Sequence, residues 1–560
     1  RHDGDVLVLH ASFSMQDATS KSLGYNRDIF ALVGLPPEVL AVAMAKYSRS
    51  QEGIRYTIDE LTEEKSAAFH EKWVLGYGDA SVADMAMVAI ALENVSILAS
   101  KVVEDNRLAC FQEKSTRYVP FDPTRHYKPV AILNSEHRAL YESTLTMLYD
   151  AYQKTVDRMI TFYGAQFPKP ADKTEKEFAA KLRARALDVA RYYLPTATLT
   201  NFGMIMSARA LRHCISKLLA HPTAEMRAIG EEIRQAAINP AYNPQAKKIE
   251  PILERLYKNA DEKTQKLVEE LHATVKLQIQ GAPTLIKHNE PKEYLMEKEK
   301  IVRALAEKIL ADISLRPSTP LRSAQGTNNF SLSESRWTSG RVEGQEPRVT
   351  FLGRHIAPED ELVATLLYRG STLPFTAILE RVEKLSPETK QIVIDEVQDK
   401  RTDHDWPSRE FEVGQYFIFD TLMDYGAFRD LQRHRICTQI NQELGVEHGY
   451  ETPRDLPDAG LLEEYQEVME KARAAYELIA EDLPHEAQYV IPMAFRKRTL
   501  FKMNLREFFH IVELRTKSGG HFSYRALVYE MYEQVRAQHP ALAKSIRAVK
   551  INWQEDFYRR

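Results

Sequence analysis

The sequence predicts an α+β protein in which one domain occurs twice, the copies joined by a helical insert and a linker. Three observations carry this prediction. Segments of the first half recur in the same order in the second half. Ala, Leu, Glu and Arg recur at three- and four-residue spacing over long stretches, as in amphipathic helices. The stretch STPLRSAQGTNNFSLSESRWTSGRVEGQE from Ser318 to Glu346 has no periodicity and is rich in Ser, Gly, Thr and Asn, which reads as a linker. A chain of 560 residues, 44% hydrophobic and 28% charged, can bury substantial cores, and that length allows about three or four domains.

In chain order, LPPEVLAVAMAKYSRS from Leu35 matches APEDELVATLLYRGS from Ala357. Each runs Pro, Glu, then an apolar helix ending in a tyrosine, Tyr47 or Tyr368. The most apolar stretch, ASVADMAMVAIALENVSILAS from Ala80, contains Asp84, Glu93 and Asn94. A lipid-spanning helix rarely carries two acids, so this stretch reads as core. EKEFAAKLRARALDVARYYL from Glu175 and LVYEMYEQVRAQH from Leu527 have helical spacing. YYLPTATLTNFGMIMSARALRHCISKL from Tyr192 matches QYVIPMAFRKRTLFKMNLREFFHIVELR from Gln488, aligning Pro195 with Pro492, Arg209 with Arg506 and His213 with His510. IRQAAINP, ending at Pro240, matches EQVRAQHP, ending at Pro540. Any single match would be chance; their common order makes a duplication the reading. The Lys- and Glu-filled stretch Pro244 to Leu315 reads as a solvated helical hairpin. The predicted boundaries are 25–243 for the first copy, 244–345 for insert and linker, and 346–550 for the second copy.

The formal net charge of −4 argues against a protein that coats nucleic acid. Three cysteines, Cys110, Cys214 and Cys437, with no CxxC spacing, make no disulfide framework and predict a reducing, cytoplasmic setting; all three read as core residues. The opening RHDGDVLVLH has no signal-peptide pattern, and no membrane partner is expected.

The chemistry lies between the tyrosine and proline landmarks. The first copy has VVEDNRLACFQEKSTRYV from Val102; the second has LQRHRICTQINQELGVEHGY from Leu431. In these segments the chain resembles the flavin-dependent thymidylate synthases (ThyX), which carry Arg-His-Arg and then Ser-x-Arg-Tyr on a strand–helix–loop unit. The second copy keeps the triplet as Arg433, His434 and Arg435 but ends in EHGY. The first keeps only Arg107 of the triplet but retains Gln112, Glu113, Ser115, Arg117 and Tyr118. The family's Arg before Leu-Pro is Arg191 in the first copy and Gln488 in the second. Its Asn-x-Arg and later Leu-Arg are Asn504, Arg506 and Arg515 in the second copy; the first has Ser207, Arg209 and Leu218. YGDASVADM from Tyr77 resembles the family's Gly-His-x-Ser segment, with Asp79 in the histidine's place.

The resemblance implies a sheet flanked by helices in each copy. It also implies FAD as cofactor, dUMP as substrate, and methylene-tetrahydrofolate and NADPH as co-substrates. Glu113, Ser115, Arg117, Tyr118, Arg191 and Arg515 are the implied substrate ligands, with Arg515 the catalytic residue. Arg107, Arg433, His434, Arg435, Asn504, Arg506 and His510 are the implied flavin ligands. Arg suits such anions because its planar fork is bidentate. The family's sites lie between subunits, so the complementary losses imply composite sites between copies, with two chains forming a four-domain homodimer. This chemistry needs no cysteine nucleophile. A non-catalytic nucleotide- or flavin-binding homologue, or another flavin-dependent pyrimidine-modifying enzyme, are the alternatives. His213 and His510 otherwise read as packed or capping residues. His404 is a weak stand-in for the family histidine. His213, Cys214 and His221 lack metal-ligand spacing, and GYGDA at Gly76 lacks the third glycine of a dinucleotide fingerprint.

Overall fold

The computed structural model describes residues 32, 35–48, 54–59, 61, 63–76, 80–239, 246–277, 281–286, 291, 356–368, 375–398, 409–413 and 417–552. The linker from Ser318 to Glu346, along with Tyr77, Asp79, Pro240 and His404, lies outside them. The chain divides into two compact units, one of residues 1–86 with 238–285, the other of 87–237 with 286–560.

The first unit is helical. Pro37–Tyr47 opens on a proline, whose missing N–H costs nothing at a helix start. Its buried Glu38 accepts the Leu285 N–H at 2.7 Å, and the Glu38 carbonyl lies 3.0 Å from His70 Nε2. Ala246–Lys258 and Glu262–Leu277 form the predicted hairpin, with the Tyr257 hydroxyl donating to Glu269 at 2.9 Å.

The second unit holds two three-stranded antiparallel sheets among helices, an α+β arrangement. The first sheet has strands β1 (Met87–Ser96), β2 (Ala109–Glu113) and β3 (Leu199–Ser207) in the order β1-β3-β2. The second has β4 (Phe417–Asp424), β5 (Thr438–Asn441) and β6 (Arg496–Met503) in the order β4-β6-β5. In β3, Thr200, Phe202, Met204 and Met206 are buried and alternate with exposed residues, the period of a half-buried strand. The apolar stretch from Ala80 opens as a short helix, Ala80–Ala83, in the first unit and continues in the second as β1 and the helix after it. Its bulge sets Asn94 at φ 61, a left-handed conformation that Asn tolerates. Cys214 and Cys437 are buried as expected, but Cys110 is exposed, because the pleat of β2 turns it outward.

The chain returns in parallel fashion in both halves. After β1 comes α1 (Ile97–Val103), capped by Ser96, whose Oγ accepts the Ala99 N–H at 2.9 Å. Then follow β2, α2 (Arg138–Gln166), α3 (Glu175–Ala190), β3, α4 (Ala208–Leu219) and α5 (Ala224–Ile238). After β4 comes α6 (Tyr425–Leu431), capped by Asp424, whose Oδ1 accepts the Ala427 N–H at 2.7 Å. Then follow β5, α7 (Leu462–Asp482), β6, α8 (Leu505–Arg515) and α9 (Phe522–Gln538). Ser207 and Asn504 cap α4 and α8 in the same way.

The halves join through main chain. Pro195 pairs with Pro492 in an isolated antiparallel bridge. The Thr196 N–H donates to the Ile491 carbonyl at 3.0 Å, and the Met493 N–H donates to the Leu194 carbonyl at 3.0 Å. Ala197 and Ala494 likewise donate to Tyr489 and Tyr192, at 3.1 and 3.2 Å. Each bond has its mirror image, the signature of a local two-fold. Beside this seam, Glu225 of α5 accepts from the Ser96 backbone N–H at 2.9 Å, the Ser96 hydroxyl at 2.6 Å and the Tyr489 hydroxyl at 2.7 Å. In the other half Ser523 of α9 donates to Asp424.

Candidate functional site

The two halves of this unit enclose a cavity of about 390 Å³, within the usual ligand-pocket range of roughly 300–1,000 Å³. Its lining carries Lys114 and six arginines against three carboxylates, Glu104, Glu113 and Asp430.

The first half supplies the end of β2, the loop after it, and the turn after α3. Glu113 is bonded by Arg429 at 2.8 Å, Lys101 at 2.8 Å and Ser100 at 2.9 Å. Burial alone would raise its pKa, but the charges of Arg429 and Lys101 hold it at about 2. Arg117 lays its fork on Asp188 at 2.9 and 3.4 Å, and also donates to the Tyr524 hydroxyl at 3.3 Å and the Gly519 carbonyl at 3.2 Å. Arg191 is 2% exposed and meets Asp430 at 3.4 Å. Its Nε and Nη2 are buried with no hydrogen-bond partner among the described residues. Buried guanidinium donors normally have partners, so Arg191 keeps donor capacity that the described residues do not use.

The second half supplies α6, the loop at 432–437 and the end of α8. Asp430 stands among guanidinium groups: Arg191, Arg117 and Arg515 hold its pKa at about 2 against burial. Arg433 is exposed at the cavity edge. Arg435 sits 5.8 Å over the Phe111 ring, and its Nη1 is buried without a partner among the described residues. Arg515 of the second half and Arg117 of the first converge on one ring, 5.5 and 5.9 Å from the centre of Tyr524.

Arg515 is held by a short relay. Its Nε donates to His434 Nε2 at 2.8 Å, and His434 Nδ1 lies 2.8 Å from Glu507. Guanidinium nitrogens only donate, so Nε2 must accept and the ring proton sits on Nδ1, donated to Glu507. Burial first, then Arg515, His510 and Arg433, press the His434 pKa well below its usual value. Burial pushes Glu507 up to about 7. His510 stands 5.2 Å from His434 between ring centres, and burial, with Arg515, lowers its pKa to about 4.

Of the residues singled out in the sequence, Glu113, Ser115, Arg117, Arg191, Arg433, His434, Arg435, His510 and Arg515 share this cavity. Tyr118 is 60% exposed and does not line it. Asn504 caps α8, and Arg506 pairs with Glu412. Arg107 donates to the Arg435 and Ile436 carbonyls at 3.0 and 2.8 Å, bracing their loop from outside the cavity. His213 is exposed. The sequence did not single out Lys101, Asp188, Arg429, Asp430 or Glu507. Glu507 was hidden by its spacing: Asn504-x-x-Glu507 reads as a helix start, while the folded carboxylate turns to His434.

Comparison with known proteins agrees with this picture. Residues 32–241 and 360–541 match the family described as thymidylate synthase complementing protein. A UPF0159 protein of Chlamydia pneumoniae is 29% identical over 539 residues, 92% of this chain and 90% of its own length. A UPF0159 protein of Thermoplasma acidophilum is 27% identical over 546 residues, 90% of this chain and 94% of its own. A flavin-dependent thymidylate synthase of Saccharolobus solfataricus is 26% identical over 204 residues, 35% of this chain and 68% of its own. The two matched segments fall one in each half and together span more than half of the sequence, so the chain belongs to the thymidylate synthase complementing protein family.

Proposed function

We propose that the chain is a flavin-dependent thymidylate synthase built as two diverged copies of one domain. It methylates dUMP to dTMP with a methylene-tetrahydrofolate donor and NADPH as reductant, at a composite site between the copies. The observation that carries the reading is Arg191, a buried guanidinium of the cavity lining with two donors unpartnered among the described residues, in a cavity that Arg117 and Arg515 line from opposite halves.

A nucleotide phosphate is close to a dianion and needs several convergent donors. In this reading Arg191 and Arg515 grip it, and Ser115 and Arg117 present a hydroxyl and a fork from one loop. Glu113 and Tyr118 flank that loop, Glu113 fixed in place by Arg429 and Lys101. Glu507 and His434 orient Arg515, the residue we assign to catalysis. The donor set also fits a flavin dinucleotide: Arg433 and the free Nη1 of Arg435 suit its pyrophosphate, and neutral His434 and His510 suit its ring. Asn504 and Arg506 secure the start of α8, and Arg107 steadies the loop that carries the triplet. FAD, when bound, supplies the hydride chemistry. In this reading the enzyme works in the cytoplasm as a homodimer, a four-domain assembly that solution mass measurement checks.

A second reading, nucleotide or flavin binding without turnover, is favoured by one observation: Nε and Nη2 of Arg117 already lie on Asp188, and Nη1 on the Tyr524 hydroxyl. Two measurements separate the readings. A flavin absorbance band in the purified chain, with tritium release from uracil C5 of dUMP and formation of dTMP, supports the synthase. A flavin band without tritium release supports binding alone, and release without dTMP points to a different pyrimidine modification.

A further inference from the structure

The local two-fold at Pro195 and Pro492 relates β1, α1, β2, β3, α4 and α5 of one half to β4, α6, β5, β6, α8 and α9 of the other. The pairing is fixed by register. β2 and β5 pair with β3 and β6 in step: Cys110 opposes Ile205 where Thr438 opposes Lys502. A site between the halves therefore has a second position, built from the opposite elements.

Reading off that position residue by residue removes the positive excess of the cavity. Asp105 stands where the cavity has Arg433, and Asn106 where it has His434. Leu218 replaces Arg515, and Ala210 replaces Glu507, so the relay is absent. Gln488 replaces Arg191, Glu443 replaces Ser115, and Gly445 replaces Arg117. The place of the Arg117 side chain is taken by an acid: a Cβ on Gly445 would lie 2.8 Å from the carboxyl carbon of Glu447.

Two cations have come in, Lys217 where the cavity has Leu514, and Lys497. Lys497 of β6 occupies the place of Thr200 in β3. Its ammonium lies 4.6 Å over the Phe428 ring and 5.9 Å from the centre of Tyr425, a cation–π placement. Burial lowers its pKa to about 8, and the charges of Asp105 and Glu443 oppose that fall. Asp105 is also bound by Lys217 of α4 at 2.5 Å. Two acids there act on a lysine that belongs to the chain itself.

We propose that each chain binds one nucleotide phosphate, not two, because the counterpart position has lost the guanidinium cluster, carries acids beside it and is filled by Lys497 as an internal cation. This rests on the reading of the basic cavity as a phosphate site. An anion approaching the counterpart meets Asp105, Glu443 and Glu447 where its partner position offers guanidinium groups, and like charges at close range repel.

The test is a calorimetric titration of the full chain with dUMP, counting sites per chain. One site is expected. Arg515→Ala should weaken it by about tenfold or more, the loss of a charge-assisted contact, while Asp105→Asn, in the counterpart position, should shift the affinity by less than about twofold. Lys497→Thr should leave the count at one. Two sites, or equal weakening by Arg515→Ala and Asp105→Asn, would overturn the inference and leave the phosphate reading standing. No binding at all would overturn the phosphate reading and this inference with it.

Discussion

The two halves keep some chemistry by exchanging it and lose other chemistry outright. At the seam, the first half caps α1 with a hydroxyl, Ser96, and sets a carboxylate against it from Glu225. The second half caps α6 with a carboxylate, Asp424, and sets a hydroxyl against it from Ser523. Acid and alcohol have traded places, and each helix start keeps one of each. No such trade holds at the cavity: Arg433, His434, Glu507 and Arg515 face Asp105, Asn106, Ala210 and Leu218 in the other half. A buried polar pair is needed wherever the fold repeats, because a lone buried group costs about 1–3 kcal/mol. A ligand site needs to exist only once.

The sharpest way to break this comparison is complementation. Both walls of the cavity come from one chain, so mixing Arg117→Ala chains with Arg433→Ala chains should leave tritium release at the level of either variant alone. Restored activity would mean that walls are shared between chains. Next in size is Arg515→Leu, which gives the second half the residue of the first. It should weaken dUMP binding by about 2–3 kcal/mol, the worth of a hydrogen bond to a charged group, while flavin content is retained. Equal loss of both would mean Arg515 is misassigned.

Glu507 and Glu113 should carry opposite pH signatures. Glu507 is raised to about 7 from 4.5. It therefore favours the folded state below its unfolded pKa, and that advantage is lost as pH rises from 4.5 through 7. Melting curves of Glu507→Gln should gain on the wild type by on the order of 2 kcal/mol between pH 5 and 7.5. Glu113 is lowered to about 2, so its contribution is complete above pH 4.5 and is lost only as pH falls toward 2. The gap between Glu113→Gln and wild type should stay flat over the same range. A flat gap for Glu507→Gln would show that its carboxylate ionises as freely in the fold as in the open chain. The smallest effect belongs to the seam. Ser96→Ala removes one cap and should cost about 1–2 kcal/mol of stability; adding Glu225→Gln should cost less than the sum of the two single changes, since both act on one hydrogen-bonded pair.

Much of this was legible in the sequence because landmarks recur in the same order in its two halves. Pro195 and Pro492 align in sequence and touch in space, and the Ser115–Arg117 and Arg433–Arg435 segments, far apart in the chain, line one cavity. What stayed hidden were groups whose local pattern has an ordinary explanation. Asp188 and Lys101 sit in helices where charged residues usually face solvent. Lys497, in RKRTLFKM, reads as one more exposed strand charge. Asn504, Arg506 and Arg107 were assigned with the cavity residues because motif spacing does not reveal which way a side chain turns. Direction depends on the packing of two halves about 300 residues apart.

The bridge at Pro195 and Pro492 consists of backbone donors and carbonyls, which every amino acid other than proline supplies in full. Recognition between the halves is thus written in a language that substitution scarcely edits. Such a joint leaves side chains on either flank at liberty to drift without the two halves parting.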